Sequence, residues 1–376
     1  MKSDWKIVSG ADFIDFNPRL SLKKGTVATK IAMDKLRPFT KKIPESEQAA
    51  FSGGAKFANG DTIMARITPC LENGKTAFVD CLAEGEIAFG STEFIVLRAK
   101  EGVSDARFLY YLAISPDFRD LAIKSMVGTS GRQRVQQSVL ETCELRVPPL
   151  ETQRKIAAIL SALDDKIELN RRINANLEQQ AAAIFKSKFC DFDDNAGQMP
   201  SKWNVATFGE IAEVVSGKRP PMKQPEFSED VNVPLVGAST IMGYTNNILY
   251  NEPILVIGRV GTHGVVQRFQ TPCWPSDNTL VIKSEYYEYA FHFLKNVDYV
   301  NMNRGSTQPL ITQTDLKNLL IVLPEKRVLK EFEKLTGTLM ARWETNRAEN
   351  EQLAAVRDAL LPRLMSGEIN VSDVSL

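Results

Sequence analysis

Side chains that could perform acid–base or nucleophilic chemistry are sparse in this sequence. His263 and His292 are its only histidines, and neither stands in a recognisable Ser, Cys or carboxylate arrangement. The glycines of GRVGTHGVV at 258–266 lack the context of a dinucleotide fingerprint, and SGKR at 216–219 lacks the preceding Gly of a phosphate loop. An Asp or Asn followed by Pro-Pro-Tyr or Pro-Pro-Phe, the motif of adenine methylation, is also missing. The sequence therefore predicts a chain that performs no bond chemistry of its own.

A basic stripe near the N-terminus is a candidate phosphate-binding surface. Although the 46 basic and 46 acidic residues cancel, the segment 19–42 carries eight cations against the single acid Asp34. The alternative is a solvated loop, which is what short charge runs usually form. The eight cations are Arg19, Lys23, Lys24, Lys30, Lys35, Arg37, Lys41 and Lys42.

Composition indicates an ordinary globular protein. At roughly 150 residues per domain, 376 residues make two or three domains. Hydrophobic residues make up 43% and charged residues 24%, and no run approaches the roughly 18 apolar residues of a membrane span. MKSDWKIVSG does not read as a signal peptide, so we expect a cytoplasmic protein. Five cysteines, never closer than eleven positions, argue against a disulfide framework and against CxxC zinc sites.

The second half of the chain repeats the first in outline. Trp203 lies 198 positions after Trp5, Arg259 lies 193 after Arg66, and Pro324 lies 176 after Pro148. The falling separation indicates shorter loops between the same elements. Each repeat begins with short apolar, β-branched runs, which predict strands at 62–67, 94–97, 254–257 and 279–282, and helices at Ala106–Ile114 and Tyr287–Leu294.

A long helix ends each repeat. Residues 151–185 contain no Gly or Pro, and a stripe stepping by four and three runs along them, which is typical of a coiled-coil seam. The same stripe recurs 176 positions later, where Pro362 is expected to end or kink the helix. The first stripe consists of Ile156, Leu160, Leu163, Ile167, Asn170, Asn174, Leu177, Ala181 and Ile184.

Two asparagines interrupt each seam, within the shared frame NRxxNxxL at 170–177 and 346–353. A buried Asn costs stability but fixes helix register, because a slipped pairing leaves its amide unsatisfied. The alternative is that these turns face solvent. We predict antiparallel helices with Asn170 near Asn346, and a register role for Asn170, Asn174, Asn346 and Asn350.

PPLETQRKIAAIL, LSALDDKIELNRRINANLEQQAAAIFKSKF and the closing ALLPRLMSGEI resemble the DNA specificity subunits of type I restriction-modification systems. The resemblance covers the whole chain, and its motifs are strongest in the helices. One departure is EKRVLKEFEKLTG, which opens the second helix with a reduced version of the family's pattern.

The resemblance implies an α+β fold in which two mixed α/β target-recognition domains are separated by two long antiparallel coiled-coil helices, as a pseudo-twofold tandem repeat. The implied boundaries are recognition domains at 1–148 and 203–324, helices at 149–190 and 325–370, and a linker at 191–202. A helix of 35 residues is roughly 50 Å long, which corresponds to about 15 base pairs of duplex. The helices would then set the spacer of a bipartite target.

The resemblance also implies a non-catalytic subunit with partners. These are double-stranded DNA, two adenine-N6 methyltransferase (M) subunits and two ATP-dependent restriction (R) subunits, with no membrane association. S-adenosylmethionine, ATP and magnesium would belong to those partners, with no cofactor or metal in this chain.

The matched loops GTSGRQR at 128–134 and RGSTQ at 304–308 are the first candidates for DNA contacts. Backbone and Thr suit phosphate, Arg suits guanine and Gln suits adenine. The alternative for each Arg is a surface ion pair. The predicted DNA-binding residues are Lys23, Lys24, Lys41, Lys42, Arg66, Lys75, Thr129, Ser130, Arg132, Gln133, Arg134, Lys218, Arg219, Arg259, His263, Arg304, Ser306, Thr307 and Gln308.

Two rival functions remain open from the sequence. One is a single-chain DNA-modifying or DNA-cleaving enzyme whose site is dispersed. The other is an interaction scaffold in which the coiled coil binds a partner and the globules read no DNA. The neutral net charge is compatible with this alternative, because a DNA-binding protein usually carries an excess of positive charge.

Overall fold

The structure, a computed structural model, describes residues 4–129, 131–260, 264–299, 310–371 and 374. It contains two compact units. Unit 1 comprises Met1–Arg172 and Asn346–Leu376, and unit 2 comprises Ile173–Thr345. Both units mix strands with helices, which confirms the predicted α+β class.

Unit 1 contains two four-stranded sheets and a two-stranded ribbon. Its strands are β1 (Lys6–Ser9), β2 (Ile14–Phe16), β3 (Val27–Ile31), β4 (Glu47–Ala50), β5 (Lys56–Phe57), β6 (Thr62–Ala65), β7 (Thr76–Phe78), β8 (Ala88–Gly90), β9 (Phe94–Ala99) and β10 (Glu144–Val147). The sheets have the orders β2-β9-β6-β7 and β4-β3-β8-β5, and β1 pairs antiparallel with β10. β6 and β9 arise from the predicted apolar runs. Every residue of β6 is buried because its two faces pack against two different apolar clusters, Met64 in one and Ile63 in the other.

Short helices cover the first sheet of unit 1. They are α1 (Gly10–Phe13), α2 (Ala106–Ile114), α3 (Pro116–Lys124) and α4 (Gln137–Thr142). α2 has the predicted bounds, and it begins at Asp105, whose carboxylate accepts the backbone N–H of Phe108 at 2.9 Å. Its apolar residues are buried against β6, β7 and β9.

Unit 2 has a closely similar arrangement. Its strands are β11 (Asn204–Thr207), β12 (Ala212–Ser216), β13 (Val233–Val236), β14 (Ile241–Thr245), β15 (Ile254–Gly258), β16 (Val266–Phe269), β17 (Trp274–Pro275), β18 (Thr279–Ser284) and β19 (Leu320–Leu323). The order β12-β18-β15-β16 repeats β2-β9-β6-β7 of unit 1, and the β11–β19 ribbon repeats β1–β10. The second sheet is β14-β13-β17. The predicted tandem repeat is therefore confirmed in the topology of the two units.

Four helices complete the chain: α5 (Leu150–Phe189), α6 (Tyr287–Lys295), α7 (Gln313–Lys317) and α8 (Lys326–Met365). α5 and α8 are the two long helices, each of 40 residues. α8 continues three residues beyond Pro362, to Met365, so of the two predicted effects of this proline, an end or a kink, the end does not occur. Pro362 removes one backbone donor, but its carbonyl still accepts the N–H of Ser366 at 2.9 Å. Among the described helices, none combines the length and apolarity that a membrane span requires.

Within each unit, segments of α5 and α8 run antiparallel. In unit 1, Asp164 bonds to Arg357, which follows Asn350 in sequence, while Asn170 bonds to Asn350. In unit 2, the Asn174 amide donates to the backbone carbonyl of α8 residue 343 at 3.0 Å. Most predicted seam positions of α5 are buried, namely Ile156, Leu160, Leu163, Ile167, Asn170, Asn174 and Ala181. Farther along, Phe185 rather than Ile184 is fully buried.

Candidate nucleic-acid interface

A short hairpin occupies the predicted loop 128–134 of unit 1. Val127 and Arg134 pair antiparallel through two backbone hydrogen bonds of 3.0 Å. The turn depends on Gly128, where φ is 141° and an added Cβ would lie 2.8 Å from the carbonyl oxygen of Arg132. The exposed side chains at the tip include those of Thr129 and Arg132, while Gln133 is half-buried.

Arg134 fastens this hairpin to the turn before β9. Its guanidinium makes a bidentate pair with the Glu93 carboxylate, with N–O distances of 2.6 and 2.9 Å. The hydrogen bonds from Arg134, aided by its charge and that of Arg66, lower the pKa of Glu93. The Gln133 carbonyl also accepts the N–H of Thr68 at 3.0 Å. For Arg134 the structure therefore gives the ion pair that the sequence left as the alternative, and the residue positions the hairpin.

Arg66 lies beneath the hairpin and is held by its backbone. Its N–H donates to the carbonyl of Glu93 at 2.9 Å, and its carbonyl accepts the N–H of Val135 at 2.8 Å. The guanidinium Nη2 donates to the Val135 carbonyl at 3.3 Å. The buried Nε has no hydrogen-bond partner among the described residues. The side chain is thus anchored at one end while keeping donors available.

A cleft of about 470 Å³ opens beside Arg66. Arg19 and Lys56 also line it, together with Asn17 and the exposed Thr92. Lys56 is not among the residues predicted from the sequence, because it stands alone in the short strand β5 and belongs to no motif. Arg19 belongs to the basic stripe but is not among the predicted contacts.

Unit 2 holds Arg259 in the same backbone setting as Arg66. The Arg259 N–H donates to the Asn278 carbonyl at 2.9 Å, and its own carbonyl accepts the N–H of Ile311 at 3.0 Å. Its Nε is likewise buried without a hydrogen-bond partner within the described residues. Lys218 and Arg219 are exposed just after β12. The other predicted contacts of the unit 2 loops, together with one from unit 1, lie outside the described residues: Ser130, His263, Arg304, Ser306, Thr307 and Gln308.

Four of the eight cations of the basic stripe are paired with carboxylates within unit 1. Lys41 is only 5% exposed and its ammonium lies 2.8 Å from the Asp165 carboxylate of α5, while Lys42 pairs with Asp80. Two other stripe residues also pair with carboxylates, Lys30 with Glu47 and Lys35 with Glu45. The predicted contact Lys75 donates to the backbone carbonyl of Met33 at 2.9 Å. Of the predicted contacts, Lys41 and Lys42 from the stripe and Lys75 from the loop after Arg66 are thus engaged inside the unit. Lys23 and Lys24 are exposed.

Three of the four seam asparagines, Asn170, Asn174 and Asn346, are buried, and Asn350 is half-buried. Asn170 is fully buried and its amide donates to Asn350 Oδ1 at 3.0 Å and to Glu349 Oε2 at 2.7 Å, while Lys166 donates to its Oδ1 at 3.2 Å. The partner found for Asn170 is the second Asn of the other frame, where the sequence suggested Asn346, the first. Asn346 is also fully buried. The alternative of a solvent-facing turn is excluded for both.

His292, the one described histidine, is part of the unit 2 core. It is 3% exposed and its ring stacks on Phe185, with 5.8 Å between centroids. Burial, and then the nearby charges of Arg268 and Lys295, lower its pKa to about 4. Among the described residues no cluster of three His, Cys, Asp or Glu side chains could hold a metal ion.

Comparison with known proteins shows the family to which this chain belongs. The family model described as the type I restriction modification DNA specificity domain matches twice, at residues 3–179 and 200–349. The chain therefore belongs to this family, as the helix motifs indicated.

Relatives and solved structures agree with this assignment. The chain is 26% identical over 311 residues to the type I restriction enzyme MjaIX specificity subunit of Methanocaldococcus jannaschii, covering 73% of this chain and 71% of that protein. It is 24% identical over 416 residues to the HindI specificity subunit of Haemophilus influenzae, covering 84% and 88%. Its fold is similar to the crystal structure of the type I restriction-modification S subunit from M. genitalium, with a TM-score of 0.61, 17% identity and 96% of each chain covered.

Proposed function

We propose that this chain is the DNA sequence-recognition subunit of a type I restriction-modification complex, and that it reads a bipartite target with one recognition domain per half-site. The observation that carries this function is the duplication itself. One family domain matches the chain twice, and both units place an arginine, Arg66 or Arg259, at the same backbone position beside the segment that follows α3 or α6.

The proposed division of labour follows the chain. Residues 1–148 and 203–324 form the recognition domains, 149–190 and 325–370 form antiparallel spacer helices, and 191–202 links the halves. The polar layer around Asn170 supports a register role for the four seam asparagines, because any slip would leave the buried amide of Asn170 without its partners. A fixed register would give a fixed spacer.

Catalysis belongs, in this proposal, to partner subunits. Two methyltransferase subunits would bring S-adenosylmethionine, and two restriction subunits would bring ATP and magnesium. What supports the non-catalytic role is that the relatives are named specificity subunits, and that the described histidine lies in an aromatic core. The proposed DNA contacts are the hairpin tip residues Thr129, Arg132 and Gln133, the arginines Arg66 and Arg259, the exposed cations Lys23, Lys24, Lys218 and Arg219, and the loop residues Ser130, His263, Arg304, Ser306, Thr307 and Gln308.

Methylome sequencing of cells with and without this chain tests the function. We expect adenine methylation at one bipartite motif that disappears with the chain. Inserting one heptad into both α5 and α8 should lengthen the spacer while both half-sites stay the same. If the purified chain alone cleaves or methylates duplex DNA, the protein is a single-chain enzyme. If the chain enriches no sequence from a random duplex pool, even with its partner subunits, the protein is an interaction scaffold.

A further inference from the structure

Three cations of unit 1 meet at one cleft without a carboxylate. Arg19 follows β2, Lys56 lies in β5 and Arg66 follows β6, so three separate segments of the fold bring them together. No Asp or Glu is among the described residues that line this cleft of about 470 Å³. Like charges held around one space repel each other, and a bound anion would relieve that repulsion.

Several other cations of the same unit are paired with acids. Five of them reach a carboxylate at ion-pair distance: Lys30 to Glu47, Lys35 to Glu45, Lys42 to Asp80, Arg98 to Asp61 and Arg134 to Glu93. The acid next to the cleft, Glu93, is already held by both sides of the Arg134 fork. The cleft therefore keeps its positive charge, whereas the charges of these five cations are neutralised.

The polar groups left in the cleft suit an anion better than a base edge. The amide of Asn17 is occupied on both sides, because its Oδ1 accepts the N–H of Val96 at 2.9 Å and its Nδ2 donates to Gln137 at 2.6 Å. The groups that remain open are cationic donors: the side chain of Arg19 is exposed, and those of Lys56 and Arg66 are half-buried. A phosphate oxygen satisfies donors of this kind.

The arrangement recurs in unit 2 in the same strand frame. Arg19 stands three residues after the end of β2, and Arg219 stands three residues after the end of β12. β2 and β12 occupy the same edge of the matching sheets. Arg259 repeats the backbone setting of Arg66 and also has a buried Nε without a partner in the described part of the chain. Two cations at matched positions in two diverged domains are hard to explain as independent surface charges.

We infer that the cleft formed by Arg19, Lys56 and Arg66 binds a backbone phosphate of the target DNA, beside the hairpin whose tip reaches the bases. This inference rests on the proposed function, since it names where recognition domain 1 holds the duplex. A phosphate contact fixes the position of the domain on DNA but carries no sequence information. Lys56 and Arg19 then determine affinity, and the hairpin determines sequence.

The salt dependence of DNA binding tests the inference with the full chain, co-purified with its partner subunits on duplexes that carry the methylome-derived target. Each phosphate contact contributes about 0.9 to the slope of log K against log salt. Because the three cations share one phosphate, the triple variant Arg19→Gln, Lys56→Gln, Arg66→Gln should reduce that slope by about 0.9, and so weaken binding about eightfold at 0.1 M salt. Lys56→Gln and Arg66→Gln should each give a measurable part of that reduction. The sequence selected from a random pool should not change. Arg66→Lys, which keeps the charge, should retain most of the slope.

The matched control is Lys30→Gln, which removes the same charge from the same unit but from a residue paired with Glu47. Its slope should equal that of the parent. Arg19→Gln guards against misfolding, because Arg19 is exposed and its loss leaves the core intact. An unchanged slope in folded Arg19→Gln and Lys56→Gln overturns the inference, and so does an Arg66→Gln protein that changes preference at one base. A parent complex that selects no sequence refutes the proposed function instead.

Discussion

The two units have the same kind of fold, but different side-chain contacts hold each fold to the long helices α5 and α8. In unit 1 the fastening is polar. Asp164 of α5 is buried and accepts the hydroxyl of Tyr111 at 2.6 Å and Nη1 of Arg357 at 2.7 Å. Gln153, also of α5, accepts the N–H of Asp105 at 2.9 Å and donates to two backbone carbonyls at 2.9 and 3.1 Å.

In unit 2 the fastening is aromatic, with a helix cap. Glu333 of α8 accepts the backbone N–H groups of Glu288 and Tyr289 at 3.0 and 2.8 Å, which satisfies donors that the first turn of α6 leaves open. Around this cap, ring centroids lie 4.8 to 6.2 Å apart. The rings are those of Phe185, Phe189, Tyr289, His292 and Phe332.

Equivalent positions explain why the two fastenings differ. Each polar residue of one half corresponds, 176 positions away, to an apolar residue of the other half: Gln153 to Leu329, Asp164 to Met340, Arg357 to Ala181 and Glu333 to Ala157. All four apolar equivalents are buried. Because a lone buried charge or amide is costly, partners must change together. The duplicated halves have therefore diverged in their docking surfaces as complete sets.

Removing Asp164 should have the largest effect. Asp164→Ala leaves the 7% exposed Arg357 without its buried partner, and loss of one member of a buried pair costs about 3 to 5 kcal/mol. We expect that loss in urea unfolding, with hydrogen exchange rising first in α2 of unit 1. The matched control is Glu168→Ala, which removes a carboxylate from the same helix whose partner Arg172 is exposed, and should cost less than about 1 kcal/mol.

A double variant sharpens this result. Asp164→Met with Arg357→Ala installs the residues found at the equivalent positions of the other half. Since no charge is then left buried, the pair should recover most of the stability lost in Asp164→Ala. If the double variant is less stable than the single one, the docking surfaces did not diverge as sets.

The pH dependence of unit 2 should show two opposed contributions. Burial raises the pKa of Glu333 to about 7 from 4.5, so between these values the folded chain keeps a proton that the unfolded chain releases, and stability falls as pH rises. Burial lowers the pKa of His292 to about 4 from 6.5, so over that range the unfolded chain binds the extra proton and stability rises with pH. Each shift corresponds to about 3 kcal/mol, so the parent should be nearly flat from pH 4.5 to 6.5.

Single variants separate these contributions. Glu333→Gln removes the falling contribution, so the free energy of unfolding should rise from pH 4.5 to 6.5. His292→Phe removes the rising one and keeps a stacked ring, so the same free energy should fall up to pH 7. Urea titrations at several pH values, with exchange of the α6 amides, measure both. Equal slopes in the two variants would falsify the assignment.

Gln153→Leu should have an intermediate effect that is confined to unit 1. Leucine is the residue at the equivalent position 329, but here it leaves the N–H of Asp105 and two carbonyls without their amide partner. We expect a loss of about 2 kcal/mol in urea unfolding. Gln180→Leu, an exposed glutamine of the same helix, is the control and should change stability by less than about 0.5 kcal/mol. A loss no larger than that of the control would mean that these hydrogen bonds contribute little to docking.

Much of the fold is readable from periodicity and repetition. The β-branched runs locate β6, β9, β15 and β18 to within two residues, because these strands pack against apolar clusters on both faces and are therefore apolar throughout. The seam predicts α5 almost to its ends, because few structures other than a helix place a long stripe of apolar residues with this spacing on one buried face. Pro362 does not end α8, because the stability lost with one backbone N–H near a helix end is small compared with the stability gained by burying Leu361 and Leu364.

The candidate site is less predictable, since charge in a sequence does not reveal its partner. Lys41 and Lys56 look alike in the chain, yet one is buried against Asp165 and the other lines the cleft. Arg132 and Arg134 share one loop, but only Arg134 meets Glu93. These pairs join residues 124 and 41 positions apart, and no local pattern encodes such contacts. The repeat supplies the missing information at Arg66 and Arg259, whose equivalence is visible before any coordinates.

Lys41 gives the smallest effect and separates docking from DNA contact. Its ammonium is buried against a carboxylate that is itself half exposed, so Lys41→Met exchanges a weak ion pair for apolar packing and should change stability by about 1 kcal/mol or less. Because the Lys41 ammonium already pairs with Asp165 of α5, the salt slope of DNA binding in Lys41→Met should equal that of the parent, in contrast to the slope in Lys56→Gln. A slope reduced by about 0.9 would instead place Lys41 on a phosphate and restore the basic stripe as a binding surface. Unit 1 would then use one residue both to hold its helix and to hold DNA.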